Sequence, residues 1–281
     1  MKALSIPMIC NRIAVQAPYF AFTTLEGENQ TIRGEFIPEQ DTGYETGPVA
    51  VAELGRHLAI LGSCAAVILG TEEKTYYLAS KGRLSLFGKP QPRGEGKYHA
   101  TAQVIAQDKR TLKVHAVASD GVPFAHLDCE YTILSDALFS KTFRNYHSAP
   151  VPVPTVSPYT QPIALEYETS HDLTLTARSQ PLTPGCFSGH FVEYPTWPVA
   201  IIADTVSQVM SRLLHDILGE RVHYRVAHFD VQALRLISAS DPLIFRVECT
   251  VASKLLSRYM FSAQVSRGDV VAATMEMEVY V

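Results

Sequence analysis

A proline-rich stretch near the middle of the chain limits the fold more than any other feature of the sequence. Residues Ser148 to Pro162 contain five prolines in fifteen positions. Because proline fixes φ and has no backbone N–H, such a stretch forms neither a helix nor a central strand and favours an extended, semi-rigid linker. We therefore predict two units, residues 1–147 and 163–281, joined by a linker at 148–162.

The two units repeat the same order of apolar segments. One long apolar segment in each unit, Val49–Leu69 and Val199–Leu218, is sufficient for about five helical turns. Four segments rich in β-branched and aromatic residues follow each predicted helix, separated by turn residues. These predicted strands are Thr75–Leu86, Lys97–Ala106, Thr111–Ser119 and Val122–Leu134, then Val222–Leu234, Pro242–Val251, Arg258–Ser266 and Val270–Val281. An antiparallel sheet wrapped around one buried helix satisfies this order, so we predict an α+β fold.

Composition and charge exclude several classes of protein. The net charge is −4 and no basic run occurs, which argues against a nucleic-acid partner. The five cysteines are odd in number and lack metal-ligand spacing, which predicts reduced thiols in a cytoplasmic protein without a metal site. The N-terminus has no signal-peptide pattern. The apolar segment Val49–Leu69 contains Glu53, Arg56 and His57, so we predict a core helix and no membrane span.

A loop in the second unit carries the residues best suited to chemistry. Gly189, His190 and Phe191 are followed by two prolines, the second of them Pro198, which suits the first turn of the predicted helix. Asp204 lies fourteen residues after His190, and Gln208 lies one helical turn further on. Imidazole is the only side chain that titrates near neutrality without perturbation, and a carboxylate in an apolar helix is costly unless it is paired or used. The pattern indicates acid–base chemistry.

This loop and helix resemble the active-site segment of the β-hydroxyacyl-acyl carrier protein dehydratases, which have the hotdog fold. Those enzymes carry Gly-His-Phe, two prolines, and a helix with an acidic residue and a glutamine at these spacings. The chain departs from the family at Val192 and Val199, where proline and glycine are usual. The resemblance implies a double hotdog, in which each half is an antiparallel sheet wrapped around one long central helix. The chain would be a pseudo-dimer, and a further homodimer stays open.

The activity that the resemblance implies is dehydration of a 3-hydroxyacyl thioester to the 2-enoyl thioester, in fatty acid- or polyketide-type biosynthesis. The enzyme would be a hydro-lyase acting on a thioester of acyl carrier protein or CoA, with no cofactor because the chemistry is proton transfer alone. His190 would be the base, and N–H groups at the start of the helix would stabilise the enolate. The substrate-binding residues implied are Gly189, Phe191, Pro198, Val199, Ala200, His57 and Gln208.

The acid that works with His190 is open between the two helices. In homodimers of the family the histidine comes from one hotdog and the acid from the other. The resemblance therefore favours Glu53, with His57 one turn further along the same helix. Asp204 would then face the second pseudo-site, where Glu35 stands in place of histidine. The rival arrangement has His190 and Asp204 acting together within one half.

Two other functions stay open beside dehydration. Other hotdog proteins are thioesterases that use a helix carboxylate to activate water, although the Gly-His-Phe loop favours dehydration. The lost histidine in the first half, together with Val199, is also compatible with a non-catalytic acyl-binding or scaffold subunit.

Plainer roles for the same residues are also open. His190 would be a structural loop histidine, Asp204 and Gln208 would cap an internal cavity through water, and Glu35 would be a solvated carboxylate. Four basic residues cluster around a Gly/Pro-rich loop: Arg83, Lys89, Arg93 and Lys97. We favour a solvated loop there over a docking patch for an acidic carrier protein.

Overall fold

The computed structural model describes residues 1–69, 72–87 and 96–281, in which thirteen strands form one sheet. The strands are β1 (Lys2–Ala3), β2 (Phe22–Glu28), β3 (Thr31–Phe36), β4 (Thr75–Leu86), β5 (Tyr98–Gln107), β6 (Thr111–Ser119), β7 (Pro123–Ser135), β8 (Leu165–Tyr167), β9 (Thr174–Ser179), β10 (Arg225–Ala233), β11 (Ile244–Ser253), β12 (Arg258–Arg267) and β13 (Val270–Tyr280). The α-helices are α1 (Ile6–Ile13), α2 (Val51–Leu69), α3 (Asp136–Thr142) and α4 (Val199–Leu218). The eight predicted strands all occur, within three residues of their predicted boundaries.

The two halves of the sheet have the same strand order and meet in the middle. From β4 outward the order is β7, β6, β5, β3 and β2, and from β10 outward it is β13, β12, β11, β9 and β8. Strands β4 and β10 pair antiparallel over Lys81–Ser85 and His228–Gln232 and so join the halves. All ladders between these strands are antiparallel, which gives the predicted α+β arrangement with a pseudo-twofold axis at the β4–β10 pair.

Each half-sheet covers one long helix, and the two helices pack against each other. Helix α2 lies on β3, β5 and β6, while α4 lies on β9, β11 and β12. The segment Val51–Ile68 is long and apolar enough to cross a membrane by length and composition, but 83% of it is buried inside the protein. It is the core helix of the first half, since its apolar residues are covered by the sheet.

The ends of the two long helices show small corrections to the sequence prediction. Helix α2 begins at Val51, two residues later than predicted, and the Val51 N–H donates to a Glu45 carboxylate oxygen at 2.8 Å. Pro198 is the N-cap of α4 and not a first-turn residue. The predicted end at Gly219 is observed: its φ is 77°, a left-handed conformation that glycine adopts without strain.

The proline-rich segment is partly packed against both halves. A single 3₁₀ turn at Pro158–Thr160 buries Tyr159, whose hydroxyl donates to the Ser188 carbonyl at 2.8 Å. The part before it, including Pro152 and Val153, is exposed and has no regular structure. Helix α1, which precedes the first long strands, was not predicted. The five cysteines are free thiols.

Candidate active site between the two halves

The Gly-His-Phe loop of the second half is docked on the N-terminal segment of the first half. The Gln16 N–H donates to the Gly189 carbonyl at 2.8 Å, and the Phe191 N–H donates to the Ala14 carbonyl at 3.2 Å. Gly189 has φ 89°, and a Cβ there would lie 2.2 Å from the Gln16 carbonyl oxygen. Only glycine fits such a position, because both the left-handed backbone and the close approach exclude a side chain.

His190 is buried in an aromatic surrounding without an acidic partner. Its ring lies edge-on to Tyr19 with centroids 4.9 Å apart and stacks on Phe191 at 4.0 Å. Its Nδ1 has no hydrogen-bond partner, and within the described residues no carboxylate forms an ion pair with it. Burial lowers the pKa of His190 to about 3, against the opposing effect of a backbone hydrogen bond at Thr196. The imidazole is therefore neutral at physiological pH.

Glu53 and His57 form a closed pair in the core of the first half. The Glu53 carboxylate accepts from the N–H groups of Glu39 at 2.7 Å and Gln40 at 3.2 Å, and His57 Nε2 lies 3.3 Å from Oε1. Burial raises the pKa of Glu53, but the bonds from His57 and Glu39 and the charge of Arg56 outweigh it and hold the pKa below its usual value. Burial lowers the pKa of His57. The Glu53 carboxylate therefore fixes the backbone at Glu39 and Gln40.

Asp204 is only half-buried and has one oxygen held by its neighbour. Gln208 Nε2 donates to Asp204 Oδ2 at 3.3 Å. Burial raises the pKa of Asp204 to about 6, while the Gln208 bond and the charge of Arg56 act against this increase. Asp204 also raises the pKa of Glu45, which burial brings to about 8. Asp204 thus interacts with Arg56 and Glu45 of the first half.

Glu35 lies elsewhere and does not face Asp204 as the resemblance implied. Its carboxylate is 3.4 Å from Lys97 Nζ and 3.7 Å from His99 Nδ1, at a partly exposed end of β3. Glu45 is instead a first-half carboxylate whose pKa the charge of Asp204 raises. Of the basic residues around the Gly/Pro-rich loop, Lys89 and Arg93 lie outside the described residues.

Arg56 is a buried cation that the sequence analysis did not single out. Its side chain is 1% exposed, and Nη2 lies 2.5 Å from Glu39 Oε1 and 3.7 Å from Glu53 Oε1. The guanidinium carbon lies 5.0 Å from the Tyr159 ring centroid and 5.6 Å from that of Tyr19. Its Nε and Nη1 have no hydrogen-bond partner. The sequence signal for Arg56 was a single arginine in an otherwise apolar helix, but the sequence does not show which side chains contact it.

A cavity of about 640 Å³ lies between the halves and brings part of the predicted site together. Its wall includes His190, Phe191, Val199 and Ala200 from the second half and Arg56 from the first. The other site residues predicted from the sequence do not line the described part of the cavity. These are Glu53, His57, Gly189, Pro198, Asp204 and Gln208. No group of three His, Cys, Asp or Glu side chains in the described part of the chain could hold a metal ion.

Comparison with solved structures shows the fold. A Lactobacillus plantarum protein assigned as an oleoyl thioesterase aligns at TM-score 0.61 and 13% identity, over 89% of this chain and 96% of that one. A hot dog fold protein from Alicyclobacillus acidocaldarius aligns at 0.59 and 13%, over 95% and 98%. An acyl-CoA thioesterase II from Mycobacterium marinum aligns at 0.52 and 12%, over 98% and 97%. The chain has a double hotdog fold. No family model and no curated protein matches it.

These comparisons overturn the expectation of a dehydratase lyase. The enzymes among the similar structures described above are thioesterases, which are hydrolases. The burial of His190 gives a physical reason for the correction. A base that removes a proton beside a thioester carbonyl needs a pKa near the working pH, whereas that of His190 is about 3. The Gly-His-Phe loop docks on the first half and supplies part of the cavity wall.

Proposed function

We propose that the protein hydrolyses an acyl thioester to the free acid and the thiol. The observation that carries this proposal is the placement of Arg56 in the wall of the cavity between the halves. That wall is largely apolar, as an acyl chain requires. Arg56 has two nitrogens without an acceptor, and buried donors left unpaired are costly. These nitrogens are closed to solvent in this structure, and in the proposal the bound thioester moves the covering side chains so that its carbonyl oxygen supplies the missing acceptor.

The group that activates water in this proposal is Asp204. Its pKa of about 6 makes it ionised at neutral pH yet basic enough to accept a proton. Asp204 does not itself line the cavity, but it is close enough to Arg56, which does, for the Arg56 charge to act on its pKa, and only one of its oxygens is held by Gln208. Glu53 is a poorer base because its oxygens already accept from backbone N–H groups and its pKa is lowered.

The reaction then has balanced steps. Asp204 takes a proton from water as the oxygen of that water bonds to the thioester carbon. The charge that develops on the carbonyl oxygen is stabilised by the Arg56 guanidinium. Collapse of this tetrahedral intermediate breaks the C–S bond, and the leaving thiolate takes the proton from Asp204. His190 stays neutral and fixes the cavity wall through its contacts with Tyr19 and Phe191.

The substrate class follows from the same proposal. Thioesters of CoA and of acyl carrier protein both present an acyl group on a long flexible arm, and both fit a cavity at an interface. A cytoplasmic location, where such thioesters are made and used, stays a prediction, as does the absence of nucleic-acid and membrane partners.

Turnover of butyryl, octanoyl and palmitoyl groups, each presented on CoA and on acyl carrier protein, tests the proposal. We expect release of free thiol, detected with a disulfide dye, and free acid, identified by mass spectrometry. Asp204→Asn should reduce the rate on the order of a hundredfold or more, the usual scale for loss of a general base. Absence of hydrolysis with every substrate, or equal rates in the parent and Asp204→Asn, would overturn the proposal.

A further inference from the structure

The charged residues that line the described part of the cavity are all basic, although the protein as a whole is acidic. Four basic side chains line the cavity: Arg56, Lys81, Arg235 and Arg267. Among the described residues that form the wall, none is Asp or Glu. The chain contains 28 acidic and 24 basic residues, so composition alone does not produce a wall of one sign. The cavity is therefore suited to a ligand that is apolar in one part and anionic in another.

The four cations lie at two different depths. Arg56 is fully buried, whereas Lys81, Arg235 and Arg267 are exposed to solvent while lining the same cavity. The three exposed side chains therefore mark the mouth. A ligand that reaches Arg56 passes them on its way in.

The mouth lies where the central strand pair ends. The ladder between β4 and β10 stops at the Lys81–Gln232 pair. Beyond it, Tyr77–Ser80 on one side and Ala233–Leu236 on the other line the cavity and do not pair with each other. The N–H groups of Leu234 and Arg235 donate instead to the Ala272 carbonyl. The two halves separate at this point, which leaves a slot.

Two of the cations at the slot have no ionic partner. Arg267 Nη1 lies 2.9 Å from Asp241 Oδ2, so its charge is already matched. On the sheet beside the slot, Arg83 pairs with Asp230 and Lys113 pairs with Glu130. Lys81 and Arg235 form no ion pair with any described residue. Lys81 also lines a second pocket beside Asp128, Glu130 and Asp230, but each of these carboxylates is paired with another side chain. The charges of Lys81 and Arg235 can therefore bind an anion from solution.

We propose that Lys81 and Arg235 bind the phosphate of a phosphopantetheine arm, the part that CoA and acyl carrier protein share. The inference rests on the proposed function, since it assigns the carrier end of the same substrate. The thioester carbonyl reaches Arg56, the arm lies in the slot, and the phosphate stays at the mouth. Phosphate oxygens form charge-assisted hydrogen bonds with lysine and arginine, and these are roughly twice as strong as hydrogen bonds between neutral groups.

A substrate series that differs in phosphate tests the inference. The same octanoyl group is presented on pantetheine, 4′-phosphopantetheine, CoA and acyl carrier protein. We expect the KM for the three phosphorylated carriers to be about tenfold lower than for octanoyl pantetheine, because a charge-assisted contact is gained. In Lys81→Gln/Arg235→Gln this advantage should disappear while kcat is retained. The advantage should also shrink at high salt.

A matched variant controls for net charge. Arg33→Gln/Arg246→Gln removes two exposed cations from β3 and β11, and neither residue lines the cavity. It should keep the full advantage of the phosphorylated carriers. A preference for CoA over the carrier protein, or the reverse, identifies the carrier, whereas the site is supported by the advantage that the phosphorylated carriers share. Loss of the advantage in the control variant as well would overturn the assignment to Lys81 and Arg235.

Binding of the products separates the inference from the proposed function. CoA and pantetheine are titrated into the protein by calorimetry, where no hydrolysis is needed. Tighter binding of CoA that is lost only in Lys81→Gln/Arg235→Gln supports the phosphate site even if no thioester is hydrolysed. Hydrolysis with equal KM for all four carriers overturns the phosphate site and leaves the hydrolase proposal intact.

Discussion

The N–H of Gln16 donates to the carbonyl of Gly189 at 2.8 Å, and this bond attaches the loop of the second half to the first half. The approach is so close that a Cβ on Gly189 would lie 2.2 Å from the Gln16 carbonyl oxygen. His190 and Phe191 take their places in the cavity wall because this contact fixes the residue before them. The docking of the loop is therefore a requirement for the site and not a consequence of it.

Gly189→Ala should destabilise the protein more than an equivalent change at a glycine with free space. Gly268 is the control, because its φ is 55° and nothing lies within 4 Å of a Cβ there. Gly268→Ala should cost about 1 kcal/mol from backbone strain alone. Gly189→Ala adds a backbone clash, on the order of a further 1–3 kcal/mol. Thermal unfolding of both variants measures the difference, and equal losses would contradict the docking role.

Two glycines in α2 should respond in opposite directions to alanine. A Cβ at Gly55 would meet its nearest atom, in Leu84, at 3.8 Å, whereas at Gly62 it would lie 2.3 Å from the Tyr131 hydroxyl. Gly55→Ala should stabilise the helix by about 0.5–1 kcal/mol. Gly62→Ala should cost about 1–3 kcal/mol, because it displaces the bond from Tyr131 to the Ala59 carbonyl at 2.7 Å. Urea unfolding checks both, and stabilisation by both changes would contradict the packing seen around Gly62.

Glu45 should make the protein less stable as the pH rises. Burial raises its pKa in the folded state from 4.5 to about 8, so between these values the folded state binds more protons than the unfolded state. The contribution of Glu45 to stability then falls with increasing pH across that window. Glu45→Gln keeps an acceptor for the Val51 N–H and removes the titration, so it should gain stability relative to the parent at pH 9 but not at pH 4 (about one half-unit outside the window on the acid side).

The control for this prediction is Glu26→Gln, since Glu26 is an exposed carboxylate on β2. Denaturant unfolding at several pH values gives the comparison. A stability difference between Glu45→Gln and the parent that stays constant from pH 5 to 9, or that Glu26→Gln reproduces, would contradict the raised pKa of Glu45.

The pH dependence of hydrolysis should report Asp204. Its pKa of about 6 predicts that kcat/KM rises with pH through about 6 and then levels, because only the carboxylate accepts a proton from water. Gln208→Leu removes the bond that lowers this pKa, so the limb should move to higher pH. A limb near pH 3, which would belong to His190, would transfer the role to the imidazole.

A chain cut between Pro152 and Val153 should give two fragments that associate. The cut falls in an exposed segment without regular structure. The fragments share the β4–β10 ladder, the contact between α2 and α4, and the loop bonds at Gln16 and Gly189. Light scattering of the mixed fragments should show a complex of the mass of the whole chain. Two stable monomers that do not bind each other would contradict the pseudo-dimer.

Some features of the candidate site could be predicted from the sequence, and others could not. Asp204 and Gln208 share a helical face at i and i+4, and their hydrogen bond could be expected from that spacing. The base role for His190 could not be tested from the sequence, because its pKa depends on burial by Tyr19 and the Phe191 ring. Arg56, Tyr159 and Glu45 were missed for the same reason, since each acquires its role from a partner distant in the chain.

The sequence by itself determined the elements and their repetition. Helix and strand periods are local, so α4 was predicted at its observed bounds, and Gly219 ended it through its left-handed φ. The tertiary structure decided which groups meet. Gly189 approaches Gln16, Asp204 interacts with Arg56, and Lys81 and Arg235 flank one slot only because β4 pairs with β10. Charge, burial and hydrogen bonding depend on distances in space, and those distances are set by long-range packing that no local pattern encodes.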